Sequence, residues 1–376
     1  MKCVCISCFD HYNTRMNYIT RFFRKKGFKT YYIIADYLHF EKKYGKKNYT
    51  GVINVHVPKY IKNMSINRLY SHYCFAKKTY KLLEKIRPDV IYCMFPPNML
   101  VRECAIYKKK HKNVGLVFDC YDAWPESMTI QSKLLKIPFA VWRCLRDRYI
   151  EYADKTIVVS EYGKKWIKRL HPRLKVEVLY PRLDKRPVVS YKTDTSEAVS
   201  FCYLGNINYI TDTELIIQLL TRVIENKKTI LHHIGSGQNL NDFVKTLKEK
   251  GISVILHGPV FDTEEKEKIF SCCNWGINFP KKEVQSSMAL KSVEYMRSGL
   301  PVLNSGVGDN WDIVRKNSIG FNCSAKNVEK IADIITSLNE DDYKRFHDKT
   351  VNCYNRLFGE PDYKQLFHGV CNIFEE

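Results

Sequence analysis

The residue types best placed to do chemistry gather between Ser286 and Val302. Ser287, Lys291 and Glu294 are spaced i, i+4 and i+7, which puts them on one helix face. Ala289, Val293 and Met296 share another face, suited to packing on a sheet. Ser286 or Ser287 is placed to cap the start of that helix, Gly299 to end it, and Pro301 to open the next strand. A helix N-terminus offers N–H groups and a positive dipole end to an anion. Lys291, one turn in, adds charge suited to a diphosphate. Glu294 has two oxygens able to accept both hydroxyl protons of a ribose. An ordinary surface Lys–Glu pair, worth about 0.2–0.5 kcal/mol, has the same spacing, and spacing alone leaves both readings open.

Smaller constellations lie at the ends of other apolar runs. Asp10, His11 and Arg15 follow the first run; Asp122 and Glu126 follow Val117–Cys120. A carboxylate in such a place can orient or deprotonate a hydroxyl, or simply cap a loop. Gly205 with Asn206, Gly235, and His257 with Gly258 end three further runs. Cys3, Cys5, Cys8 and the pair His232–His233 have metal-like spacing, but no second cluster complements them at zinc-site spacing, so buried strands are expected and no metal. The chain has no phosphate-binding loop of the Gly-x4-Gly-Lys-Ser/Thr type and no Gly-x-Ser-x-Gly elbow.

The elements that must position these residues alternate strand and helix. Strands are expected at Cys3–Phe9, Lys29–Ala35, Val52–Val57, Val90–Met94, Gly115–Cys120, Thr156–Ser160 and Val176–Tyr180, with helices such as Met16–Lys26, Tyr73–Ile86 and Pro138–Ala153 between them. Proline and polar residues interrupt the pattern over 184–200, which is read as a linker. The alternation then restarts, with strands at Phe201–Leu204, Thr229–Ile234, Val254–Leu256, Trp275–Asn278 and Pro301–Asn304. Two α/β domains follow, 1–183 and 201–340, each a doubly wound, Rossmann-like parallel sheet, with a cleft between them; 341–376 are C-terminal helices. Ligands of such sheets bind at the carboxyl ends of the strands.

Composition narrows the classes. At 45% apolar and 27% charged the chain is globular, not disordered or collagen-like. No apolar run approaches the ~20 residues of a membrane span, and the run Cys3–Phe9 is too short for a signal peptide. Fourteen scattered cysteines are too few for a disulfide scaffold and fit free thiols in a cytoplasmic protein. Charge is segregated: residues 1–190 hold 39 Lys and Arg against 15 Asp and Glu, and residues 191–376 hold 22 against 25. The basic half implies an anionic partner: phosphate, nucleic acid or an acidic membrane surface. Leu134, Leu135, Ile137, Phe139 and Trp142 beside Lys133, Lys136, Arg143 and Arg146 read as an interfacial segment, or as a solvated face over core.

The stretch Lys291-Ser-Val-Glu294-Tyr-Met-Arg-Ser-Gly299-Leu-Pro301 resembles the donor-binding signature of glycosyltransferases of GT-B fold, family four above all. Leu204-Gly205-Asn206, Ile234-Gly235-Ser-Gly237 and His257-Gly258-Pro-Val260 resemble the strand-end loops of that family's donor domain. Asp122-Ala-Trp124-Pro125-Glu126 resembles a segment of its polysaccharide-synthesising members. Two features depart from the pattern: Ser286 stands where a first glutamate often does, and Gly205–Thr211 lacks the usual Arg and Lys.

The resemblance implies a nucleotide-diphospho-sugar donor held by Gly205, Asn206, Gly235, His257, Gly258, Ser286, Ser287, Met288, Lys291 and Glu294. It implies a saccharide acceptor, lipid-linked, on the side of Asp10, His11 and Arg15, with Asp122 and Glu126 as catalytic candidates. No cofactor is expected, because the sugar nucleotide is itself a substrate. The expected product is capsule, exopolysaccharide or O-antigen, made with retention at the inner face of the cytoplasmic membrane. The last helices, from about Asp341, would cross back to the first domain. Two alternatives remain at this level: a sugar-nucleotide epimerase of the same fold, and a nucleic-acid-binding protein, which the ribose-type glutamate signature disfavours.

Overall fold

The computed structural model describes residues 1–126, 136–183, 198–284 and 288–370. They divide into two units, Met1–Tyr180 with Glu360–Glu376, and Pro181–Gly359.

The first unit contains β1 (Lys2–Ser7), β2 (Lys29–Ala35), a small hairpin of β3 (Tyr37–Leu38) and β4 (Lys43–Tyr44), β5 (Val52–Val55), β6 (Val90–Phe95), β7 (Gly115–Cys120), β8 (Lys155–Val158) and β9 (Val176–Val178). Seven of these form one parallel sheet in the order β5-β2-β1-β6-β7-β8-β9. Every residue of β6 and β7 is buried, as expected for strands covered by helices on both faces. The chain winds outward from β1 in one direction and then, from β6, in the other. The point of reversal lies between β1 and β6, where such sheets leave room for ligands beyond the strand ends.

The second unit repeats the plan with β10 (Ala198–Leu204), β11 (Lys228–Ile234), β12 (Ser253–Gly258), β13 (Trp275–Asn278), β14 (Val302–Asn304) and β15 (Gly320–Asn322), ordered β12-β11-β10-β13-β14-β15 and all parallel. Its reversal lies between β10 and β13. One core cluster lies on a single face, where Phe201, Leu231, Trp275, Ile277 and Leu303 stand side by side in the register and Leu219 packs with them.

Several boundaries differ from the sequence reading. The first strand of the second unit starts at Ala198, three residues early. The helix expected from Tyr73 begins at Ile66, capped by Ser65, whose hydroxyl accepts the Arg68 N–H at 3.2 Å. The long helix Glu340–Phe358 stays in the second unit, where His347 fills the space a Cβ on Gly299 would occupy. The return to the first unit therefore starts at Glu360, not near Asp341. There Tyr363 and Phe367 stack on Phe22 at 4.4 and 5.3 Å. Among the described residues no helix is long and apolar enough to cross a membrane, and thirteen cysteines are free.

A buried ion pair knits the first unit. Arg15, 3% exposed, donates to both oxygens of Asp119 at 2.6 and 2.9 Å, and to the carbonyl of Leu179 at 2.6 Å. Tyr92 also donates to Asp119. Arg15 thus joins the helix Asn13–Lys25, the end of β7 and the segment after β9. It faces the interior, so its expected place on the acceptor side is not where the structure puts it. Removing one partner strands the other charge in the core. We expect Arg15→Met to destabilise the first unit by about 3–5 kcal/mol, read from urea unfolding. A loss under about 1 kcal/mol would show that water reaches the pair.

Candidate functional site

In the second unit, three strand ends converge through their backbones. Gly205 follows β10 and donates its N–H to the Ile234 carbonyl at 2.8 Å; Gly235, after β11, donates to the Gly258 carbonyl at 2.8 Å. Gly205 and Gly235 have φ of 125° and 144°, and a Cβ on Gly235 would overlap the Gly205 carbonyl. Asn206 does not face outward with a free amide oxygen: Oδ1 accepts from the Ser236 N–H and hydroxyl at 3.2 and 3.0 Å, tying two loops together. His257 stacks on His232, with Nε2 at 3.1 Å from its Nδ1, and His233 lies 3.0 Å from the Gly205 carbonyl.

The helix Leu290–Arg297 follows β13 and so stands beside the sheet's reversal point. It begins later than the sequence reading placed it: Ala289 is the cap and makes no side-chain bond. Ser286 and Ser287 lie outside the described residues, and Met288 is buried. Val293 and Met296 face the core as expected. Lys291 reaches toward Gly205; a Cβ there would sit 3.2 Å from its Nζ, which lies 4.1 Å from the centre of the Tyr203 ring. Glu294 pairs with Lys266, both side chains mostly shielded from water. The Tyr295 hydroxyl accepts the Leu204 N–H at 2.7 Å, pinning the helix under the end of β10. The unit therefore presents glycine turns, the cation Lys291 and the Lys266–Glu294 pair at the same strand edge, an arrangement able to hold a diphosphate near a diol.

The first unit gathers a different set at its own carboxyl edge. Asp10 and His11 lie in the turn Asp10–Tyr12 after β1. Asp10 accepts the His39 N–H at 3.0 Å, and His11 stacks on Phe9 at 5.4 Å. Asp122, after β7, accepts from the Tyr12 hydroxyl at 3.0 Å. Burial raises its pKa, and the Tyr12 bond only partly offsets this. The buried Arg68 guanidinium lies 4.5 Å from the Trp124 ring and 5.5 Å from Phe9. Glu126 is otherwise committed: it makes a two-pronged pair with the buried Arg146, both contacts at 2.8 Å. A carboxylate so engaged is a structural tie, which removes the expected role as a free base.

The family model described as Glycosyltransferase Family 4 matches residues 13–185, and that described as Glycosyl transferases group 1 matches residues 198–341. The chain is a GT-B glycosyltransferase. Among solved structures, sucrose-phosphate synthase from Thermosynechococcus elongatus superposes with a TM-score of 0.70 at 13% identity, over 95% of each chain. The lipopolysaccharide outer core galactosyltransferase WaaB gives 0.65 at 15% identity, over 98% of this chain and 99% of that one. Anabaena HepE in complex with UDP-glucose gives 0.62 at 15% identity, over 95% of each. A search of curated protein sequences finds no match.

Sequence reasoning about this glycosyltransferase overlooked Lys266, Tyr203, Tyr295, Tyr12 and Arg68. Tyr295 was readable, since it follows Glu294 and cannot share its face; Lys266 was not, being 28 residues away. Among the described residues no three His, Cys, Asp or Glu side chains gather as a metal site requires. The enzyme's buried histidines carry a pH signature. Burial, aided by Arg68, Lys42 and His11, lowers the His39 pKa to about 3; burial, aided by His257, lowers that of His232 to about 4. Between these values and the ordinary ~6.5, the unfolded chain binds protons that the folded chain does not, so stability is lost as the pH is lowered through that window. The unfolding midpoint should drop steadily from about pH 7 to about pH 5. An unchanged midpoint would mean that these imidazoles charge inside the fold without penalty.

Proposed function

We propose that this glycosyltransferase moves a sugar from a nucleotide-diphospho-sugar to a lipid-linked saccharide during surface-polysaccharide assembly, at the inner face of the cytoplasmic membrane. The observation that carries the donor assignment is the placement of Lys291 and Glu294 on one short helix against the glycine turns at Gly205 and Gly235. Glu294 accepts from the ribose hydroxyls after exchanging its bond to Lys266. Lys291 and the backbone N–H groups at the helix start face the diphosphate. The solved relatives support the reading: HepE is seen in complex with UDP-glucose, and WaaB is a lipopolysaccharide outer core galactosyltransferase.

The proposed reaction retains configuration. The bond from the anomeric carbon to the diphosphate breaks, and the acceptor hydroxyl oxygen bonds to the same face. The hydroxyl proton passes to a leaving phosphate oxygen. Charge developing on the diphosphate is met by Lys291 and the helix dipole. On the acceptor side, Asp10, His11 and Asp122 remain the candidate contacts, with Asp122 orienting the hydroxyl.

The test is a thermal-shift panel of sugar nucleotides. A ligand at 100 times its dissociation constant should stabilise the enzyme by about 2.7 kcal/mol. Glu294→Gln should keep the fold and weaken the responding ligand by about 1–3 kcal/mol. Lys291→Ala should weaken the nucleoside diphosphate more than the nucleoside. Full affinity in both variants would remove the donor assignment. Asp122→Asn should leave donor binding intact and slow transfer about tenfold or more; undiminished transfer would make Asp122 a structural group.

A further inference from the structure

The helix Ile66–Ile86 carries two apolar faces where a surface helix ordinarily has one. One face, with Phe75, Ala76 and Leu83, packs into the first unit's core. The other places Ile66, Leu69, Tyr70 and Tyr73 at i, i+3, i+4 and i+7, and all four are exposed, Ile66 by 83%. The loop leading into this helix adds Ile61 at 80% exposure and Met64 at 56%. Scattered exposed apolar residues need no explanation, but a helix-spaced stripe continued by its own lead-in loop does.

The stretch of sequence that carries this stripe has charge of one sign. From Lys42 to Leu83 the chain holds ten Lys and Arg and no Asp or Glu. Lys59 and Lys62 flank Ile61 in sequence and are exposed. Lys42 is brought to the same loop, its Nζ 2.6 Å from Asn63 Oδ1. Not every cation is available: Lys77 pairs with Glu103 at 3.0 Å, and Lys78 donates to the His56 carbonyl at 2.8 Å. The segment singled out from sequence, Lys133–Arg146, is less suitable. Residues 127–135 lie outside the described ones, Phe139 is buried, and Arg146 is spent on Glu126.

We infer that Ile61–Tyr73 is a docking surface for an anionic lipid bilayer: the apolar stripe enters the interface while Lys42, Lys59 and Lys62 meet the headgroups. The lipid partner deepens the lipid-linked acceptor reading and rests on it. Apolar residues on one side of a helix, with Lys42, Lys59 and Lys62 at the rim and the neighbouring Glu41 paired with Lys43 at 2.5 Å, complement an apolar layer under an anionic one. A nucleic acid would be served by the lysines but would gain nothing from Ile61, Met64 and Ile66.

The experiment is co-sedimentation of the full chain with vesicles of phosphatidylglycerol and phosphatidylcholine, against phosphatidylcholine alone. Binding is expected only to the anionic vesicles and should weaken as salt nears ~0.5 M, where screening falls below about 5 Å. The variant I61E/I66E, altered at two exposed positions, should keep its unfolding midpoint and lose binding about tenfold or more. In Ile66→Trp, the indole emission should shift to the blue on anionic vesicles. Full vesicle binding by I61E/I66E would overturn the surface. So would a chain that ignores lipid and forms a dimer which I61E/I66E dissociates, because the stripe would then be a self-contact. Loss of docking in I61E/I66E, with no sugar nucleotide stabilising either protein, upholds the surface and overturns the donor assignment.

Discussion

Around Glu294 the second unit depends on backbone passing where no side chain fits. Gly235 crosses the Gly205 carbonyl so closely that a Cβ would overlap it, and Gly237 does the same at Ile207. This contact lets the ends of β10 and β11 close together and binds them through Asn206 and Ser236. It also leaves Gly205 bare, which gives Lys291 room to lie over it. Tyr295 completes the arrangement from below, filling the space opposite Gly276 and anchoring the helix to the β10 terminus. The charged groups are thus positioned by what is missing as much as by what is present.

The first unit solves the same problem with charge. Its strand ends are joined by Arg15 and Asp119, each buried and each satisfied by several partners, which is the condition under which an interior ion pair is tolerated. Glu126 and Arg146 make a second such tie beside Trp124, whose carbonyl accepts from Arg146 at 2.9 Å. Charges that advertise chemistry in a sequence are here largely consumed in holding loops. Asp10, His11 and Asp122 are left along the edge.

The sheets were legible because parallel strands buried on both faces read as unbroken apolar runs: β2, β7 and β13 begin and end where their runs do. Elements too short or too polar to make a run were not. The hairpin of β3 and β4 has two residues per strand, and β15 is three residues of intermediate burial. The first turns of the helix Ile66–Ile86 were missed because their pattern is inverted: Arg68, Ser71 and His72 are buried while Ile66, Leu69, Tyr70 and Tyr73 are exposed. At the site, spacing found Lys291 and Glu294 on one helix. It could not find Lys266, nor see that Arg15 has its partner 104 residues further on. Local sequence reports which groups are reactive, but distant sequence decides which of them are already engaged.

The pairing of Lys266 with Glu294 makes the carboxylate's resident partner part of the protein. On the proposed reading of Glu294, an incoming ribose diol displaces an ammonium, so its net gain is a difference between two interactions and not the full strength of one. A sugar with two adjacent hydroxyls recovers more of that loss than a sugar with one. The pair would lower the affinity of any nucleotide that displaces Lys266, and because that cost is common to such ligands it cancels in their ratio, leaving selectivity to the hydroxyls themselves.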